Sequence, residues 1–402
     1  MRNVRGNVVE GDDFFDRKLE QQLAWERLET DNLLLLTPRR IGKTSLMRQM
    51  VATAKEHGYQ HAIEVSFADC ADELGCMTAI IDKIAVFLPS STNLLNAAKR
   101  HIGQISDISV STEGISWSKA QLQNEQWRDV GKAITNTLNA LQGRTLICAD
   151  EVPLFILHKL LAKDEQKGRD RARDFLDWFR SLRQEQTTTG ENNIRWILAG
   201  SIGLDTLAQR YAFVDSINDL SPLPIGAFSE QTARTFLQDL SRSNNVLLDQ
   251  LTIDAILKRL DWPLPYYLQI VFGSLRDKQL LHQQEPSPAV VEQVFEELLS
   301  PAHDSYFAYW RQRLIDELGQ PNANHAIALL STVAQDPKGV KQTTLSHMLQ
   351  SRLTDPDSSE KTFKFLIGAL LRDGYIVTQP NANGEMVYRF QLSLLRDWWN
   401  RQ

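Results

Sequence analysis

Cysteine is scarce in this chain: there are three in 402 residues, Cys70, Cys76 and Cys148, an odd number without paired spacing. That excludes a disulfide framework and does not match the ligand spacing of a zinc site, so buried reduced thiols are expected. No apolar run approaches the roughly 18 residues that a membrane helix needs, and the opening MRNVRGNVVEGDD carries charge with no apolar stretch behind it. A cytoplasmic protein without membrane attachment is the expectation. Neither sign of charge dominates, since 44 Lys and Arg face 50 Asp and Glu for a net −6, which argues against the whole chain coating nucleic acid. Internal repeats and low-complexity tracts are also missing. What remains is an ordinary globular composition, 42% hydrophobic and 23% charged, in a chain long enough for two or three domains.

The rest of the chain is organised around residues 32–50, NLLLLTPRRIGKTSLMRQM. Four leucines, Leu33 to Leu36, read as a buried parallel strand, and 45–50 opens an amphipathic helix, so 37–44 is the turn between them. A phosphate-binding loop belongs at such a turn. Successive backbone N–H groups of Pro38-Arg39-Arg40-Ile41-Gly42-Lys43-Thr44-Ser45 and the helix N-terminus would cradle a polyphosphate; Pro38 alone has no N–H to give. Lys43 would reach the β- and γ-phosphates, and the Thr44 hydroxyl would ligate magnesium. Thr37 stands where the pattern G-x-x-x-x-G-K-[ST] begins with glycine. The same residues also fit a plain strand-to-helix turn with solvated Arg39, Arg40 and Lys43.

Downstream, LICADE over 146–151 is an apolar strand ending in two carboxylates, the pattern of a Walker B strand. Asp150 at the strand's end would hold the magnesium through water, and Glu151 would orient and deprotonate an attacking water. Together these segments resemble the signal-transduction (STAND) branch of the AAA+-like P-loop ATPases, within it the archaeal-type or MNS group, whose P-loop PRRxGKTSL stands here as PRRIGKTSL over 38–46. The resemblance further implies that Phe15 and Arg17, in GDDFFDRKLE, lie near an adenine. It also places a helical lid at Pro263-Leu264-Pro265-Tyr266-Tyr267, where relatives have Gly-x-Pro followed by aromatics, with Pro265 at the nucleotide.

Further strands are expected at 61–70 and 194–204, and helices at 77–87, 126–142 and 170–186, the last with Phe175, Trp178, Phe179 and Leu182 inward and its arginines on a solvated face. Residues 105–120 read as a hairpin about Glu113-Gly114, serving either as a solvated excursion or as a contact with a partner. Ligands of open α/β sheets bind at the carboxyl ends of strands, so Ser201 would sense the γ-phosphate beside Thr37 and Asp150. Arg210 follows where related ATPases present an arginine finger, though an ordinary surface arginine is the simpler reading. SPLPIGAF over 221–228 reads as a linker.

Helices are expected at 229–243, 252–259 and 287–318, then short helices at 323–334, 343–349 and 360–372, and strands 375–377 and 386–390 pairing across QPNANG, the order of a winged helix. On its third helix Lys361, Lys364, Gly368 and Arg372 share one face while Phe363, Leu366, Ile367 and Leu370 share the other. Residues 323–402 hold nine Lys and Arg against seven Asp and Glu, a net of +2.

The expectation is therefore an α/β P-loop NTPase core over 1–225, a helical lid and connector over 226–322 and a winged helix over 323–402. Such a chain would bind ATP or ADP with magnesium, hydrolyse ATP slowly and act as a conformational switch. Its other partner would be a protein or a second copy of itself, with DNA an alternative through the winged helix. A DNA-loading, initiator-like ATPase and a non-hydrolysing nucleotide scaffold are the rival readings.

Overall fold

A computed structural model describes residues 1–38, 40–84, 108–111, 114–117, 127–139, 141–162, 165–188, 193–200, 203–353 and 356–402. The chain divides into two compact units. A sheet unit comprises Arg17–Leu36 and Lys43–Pro224, and a helical unit comprises Met1–Asp16, Thr37–Gly42 and Ile225–Gln402.

In the sheet unit the strands are β1 (Asn32–Leu36), β2 (Tyr59–Ser66), the hairpin pair β3 (Ile108–Ser111) and β4 (Gly114–Trp117), β5 (Arg144–Asp150), β6 (Ile194–Gly200) and β7 (Leu220–Pro222). Five of them form one parallel sheet in the order β2-β5-β6-β1-β7. This is a parallel α/β core, the sheet class that the sequence leads one to expect. β5 and β6 are apolar almost throughout because helices cover both faces, and every described residue of β6 is buried. Against them pack aromatic side chains of the helices Trp127–Asn139 and Glu165–Thr188, with Phe179 edge-on to Trp196 at 4.9 Å and Trp127 edge-on to Trp178 at 4.6 Å.

Three details depart from the sequence reading. Residues 221 and 222 leave the expected linker to form the edge strand β7, whose Pro222 lies opposite Leu34; an edge tolerates the missing N–H, and the next residue, Leu223, donates to the Leu34 carbonyl at 2.9 Å. Gly114 pairs with Ser111 inside the hairpin ladder, and the residues between them, 112 and 113, lie outside the described set. Arg183 is not on a solvated face: it is 1% exposed and grips Asp219 with Nε and Nη2 at 2.8 and 2.9 Å, a bidentate pair that compensates the burial of its charge.

The helical unit stacks the helices Glu230–Asn244, Gln250–Leu260, Pro265–His282, Pro288–Leu298 and Ala308–Leu318. Their starts follow local chemistry: Ser229, Asp249 and Ser287 each accept a hydrogen bond from the N–H three residues on. Then come the helices Asn322–Ala334, Gln342–Gln350 and Pro356–Arg372 and a small antiparallel sheet, β8 (Val340–Lys341), β9 (Ile376–Pro380) and β10 (Met386–Phe390), in the order β8-β10-β9. β8 and the closing helix Ser393–Trp399 were not expected, since two and seven residues carry too little periodicity to read.

A buried polar network ties these parts together. Arg313, 5% exposed, pairs with Glu317 and reaches Asp373 Oδ1 at 2.9 Å, while Tyr375 donates to the Trp310 carbonyl at 2.7 Å and the Trp310 indole donates to the Tyr267 hydroxyl at 3.0 Å. Burial pushes the Glu317 carboxyl well up, opposed by Arg313. Cutting the chain at 323 would strip Asp373 from Arg313 and leave a buried charge half-compensated, so residues 323–402 are an integral part of this unit. Among the described residues no helix is long and apolar enough to cross a membrane.

Candidate functional site

At the carboxyl edge of the sheet, register sets the ends of four strands side by side: Leu36 opposite Gly200, and Asp150 opposite Ser66. After Asp150 the backbone turns sharply. Glu151 takes a left-handed φ of 56° and leads into the helical turn Val152–Phe155. Gly200 makes that turn possible, because a Cβ there would stand 2.3 Å from Pro153 Cδ.

The helix that follows the loop, Lys43–Thr53, brings Lys43 and Thr44 to the end of β5. The Thr44 hydroxyl donates to Asp150 Oδ2 at 2.8 Å across 106 residues of sequence, and the Glu151 N–H donates to Asp150 Oδ1 at 2.9 Å. Lys43 is not solvated as the plain-turn reading would have it: the residue is 7% exposed, and its ammonium favours the ionised form of Asp150. Ser45 is buried in the same helical turn. One turn further on, Arg48 Nε donates to Glu64 Oε2 of β2 at 2.8 Å.

Asp150 is a carboxylate short of compensation. Burial pushes its carboxyl above the ordinary range and the Glu151 charge adds to this, while the Thr44 hydroxyl, the Glu151 N–H and Lys43 pull it back. Such a group holds its proton more tightly folded than unfolded. Its contribution to stability is therefore largest at acid pH and falls as pH rises through the unfolded and then the folded pKa. At neutral pH ionised Asp150 opposes folding of the empty protein. Asp150→Asn is thus expected to raise the thermal midpoint without nucleotide at pH 7 by about 2–4 °C, the shift that about 1 kcal/mol produces in a domain of this size. It should also remove the magnesium-dependent part of any stabilisation by ATP; a lower midpoint than wild type, or an undiminished magnesium effect, would contradict this account. Both are read by a thermal melt.

Magnesium fits this donor set. It takes hard oxygen ligands, one or two from protein and the rest from water and phosphates, and a desolvated carboxylate 2.8 Å from a hydroxyl is what it would find. Among the described residues no cluster of three or more His, Cys, Asp or Glu could hold a metal by itself, so the protein would contribute only part of any shell.

The other candidate residues fall as follows. Thr37–Gly42 belongs to the helical unit, where Pro38 and Trp262 flank Gly374; this glycine has φ 75°, and a Cβ on it would stand 2.8 and 2.7 Å from them. Arg40, at φ 70°, lays its guanidinium over the Tyr266 ring at 4.0 Å, with the Tyr309 ring at 5.3 Å. Ile41 is buried, and Gly42 is exposed at φ 98° with open space around its Cα. Phe15 stands edge-on to Phe236 at 5.2 Å and to Phe228 at 5.9 Å. Pro265 is the first residue of the helix Pro265–His282, a position whose N–H would have no helical partner, so a proline starts the helix there without strain. In the sheet unit Arg17 is buried at φ 65° and paired with Glu20 at 2.6 Å, and Arg210 sits over its neighbour Tyr211 at 4.8 Å. Arg39 and Ser201 lie outside the described residues. Glu64, Arg48 and Tyr309 escaped the sequence reading; only the four-residue spacing of Thr44 and Arg48 hinted at a shared helix face.

No family model matches the chain, and no curated protein matches its sequence. Among solved structures, it superposes on the Walker-type ATPase PABY2304 of Pyrococcus abyssi with a TM-score of 0.63 at 17% identity, covering 99% of each chain. Looser superpositions are the Aeropyrum pernix ORC2 protein (TM-score 0.48, 12% identity, 99% of this chain and 97% of that one) and the Thermotoga maritima RuvB Holliday junction branch migration motor (0.42, 13%, 96% and 95%). At these identities the likeness is one of fold, carried by the first of the three. Over 99% of its length, then, this chain shares the fold of that Walker-type ATPase, a parallel α/β core continued by a helical C-terminal region.

Proposed function

We propose that the protein binds ATP with magnesium at the carboxyl edge of its sheet, hydrolyses it slowly and uses the nucleotide as a conformational switch. The observation that carries this reading is the 2.8 Å contact of Thr44 with Asp150, which joins the two segments that the sequence marks for phosphate and metal. In this reading the N–H groups around Gly42 and the Lys43 ammonium bind the phosphates, and Thr44 and Asp150 supply oxygens to the cation. Glu151 takes the proton of the attacking water. When bound, the magnesium neutralises charge that builds up on the β- and γ-phosphate oxygens.

The switch idea draws support from the path of the chain. Thr37–Gly42 belongs to the helical unit, yet the next residue, Lys43, begins the first helix of the phosphate site in the sheet unit. That change of unit falls inside the segment that the sequence marks for phosphate, which is what supports a nucleotide-reporting joint there. The STAND-type reading rests on PRRIGKTSL, and the winged-helix reading on three helices with the β8-β10-β9 sheet, whose strand β8 lies between the first two helices. For that module a protein partner or a second copy of the chain is the preferred reading over DNA. Of the three cations in the candidate stripe, Lys364 is paired with Glu360 of its own helix at 2.6 Å.

Equilibrium binding of ATP, phosphate release and molecular mass in ADP and in a non-hydrolysable ATP analogue test the proposal. Binding strengthened by magnesium, slow phosphate release and a nucleotide-dependent change in mass or protease pattern are expected. No binding at millimolar ATP with magnesium would overturn it.

A further inference from the structure

We propose that Arg48 and Glu64 are a positioning pair that holds Thr44 in register with Asp150 and thereby sets the affinity for magnesium; this rests on the nucleotide-site reading above. Thr44 and Arg48 are four residues apart on the helix Lys43–Thr53, so they lie on one face, a turn apart. Asp150 and Glu64 occupy adjoining parallel strands, where Ser66 is the register partner of Asp150 and Cys148 that of Glu64. Side chains two apart on a strand share a face, so Glu64 stands one step behind Asp150 on the same side of the sheet. The helix therefore meets the sheet through two polar contacts of equal length, Thr44 to Asp150 and Arg48 to Glu64, each 2.8 Å. Their spacings agree, since a helical turn advances about 5.4 Å and two strand residues about 6.6 Å.

Buried Leu46, Met47 and Met50 pack the helix onto the core, but apolar packing fixes its rotation less finely than a hydrogen bond does, and even a small turn carries the Thr44 hydroxyl away from the carboxylate. The second contact removes that freedom. Glu64 is 20% exposed and Arg48 40%, so their bond is charge-assisted and partly shielded from water, which makes it a firmer anchor than a fully solvated pair. Arg48 Nε donates to Glu64 Oε2, and the Asp150 charge repels that of Glu64. On the positioning account the effect on a cation passes through Thr44, and a direct electrostatic effect is the rival that the test separates.

The test is a magnesium titration of the full-length protein with a fluorescent ATP analogue, alongside the analogue's affinity in EDTA. Outer-shell partners of this kind change metal affinity by roughly 10–100-fold when lost. Arg48→Met and Glu64→Met are each expected to weaken the apparent magnesium affinity by roughly tenfold, with the double variant no weaker than either single one. Affinity in EDTA should stay unchanged, because the loop N–H groups and Lys43 are untouched. Glu64→Gln removes the charge and keeps the acceptor for Arg48, so it should recover much of the loss. If the pair acts by charge instead, Arg48→Met will tighten magnesium and Glu64→Gln will be as damaging as Glu64→Met, which overturns positioning. Unchanged magnesium dependence in Arg48→Met, Glu64→Met and the double variant, with the analogue bound in EDTA, also overturns it while the nucleotide reading stands. A wild-type protein that binds no nucleotide removes both. Should a methionine variant fail to fold, Glu64→Gln and Arg48→Lys, which keep an acceptor and a cation respectively, still separate the two outcomes.

Discussion

Replacing Glu151 by Gln is expected to lower ATP turnover by roughly 10²–10⁴-fold, the usual contribution of a general base, while ATP still binds with magnesium. The substitution is clean at this position. Glu151 holds a left-handed backbone at φ 56°, which Gln tolerates as Glu does, and the hydrogen bond that it donates to Asp150 comes from its backbone N–H, although Gln also removes the charge that Glu151 sets against Asp150. Shape, turn and metal donors all survive; what is lost is a carboxylate able to take a proton from water. Single-turnover phosphate release against an equilibrium binding measurement reads the result. Turnover equal to wild type would move the base elsewhere. Absence of turnover in both proteins, with binding intact, would instead favour the non-hydrolysing scaffold, for which Thr37 in place of the first P-loop glycine is the sequence argument.

Lys43→Ala should weaken ATP binding by about 100-fold or more, since an ammonium hydrogen-bonded to phosphate oxygens is worth about 3 kcal/mol. Its burial bears on the control experiment. A lysine 7% exposed beside a buried carboxylate has a structural share as well, so removing it takes away one of the groups that favour ionised Asp150. The far-ultraviolet circular dichroism spectrum should be retained, with a modest fall in the melting temperature. Combining Lys43→Ala with Asp150→Asn, which no longer carries the charge, should restore that fall without restoring binding. ATP affinity equal to wild type in the single variant would remove the phosphate loop from this region altogether.

What could be read in the sequence is what short-range physics controls. Four leucines in a row between polar ends read as a strand buried on both faces, and the run LICADE ends in carboxylates wherever its strand is placed. The buried strands and the parallel sheet were legible for that reason, as were the third helix of the C-terminal region and its inward face of Phe363, Leu366, Ile367 and Leu370. Tertiary structure decided what depends on partners far away along the chain. The order that sets β6 between β1 and β5, the recruitment of Leu220–Pro222 as an edge strand, and the pairing of Arg183 with Asp219 leave no trace in local periodicity. Periodicity reports which face of an element is apolar, but not which element lies against it. The burial of Lys43, the stacking of Arg40 on Tyr266 and the pairing of Arg48 with Glu64 follow the same logic. A charged side chain in a sequence is presumed solvated, and only the groups packed around it can make burial affordable.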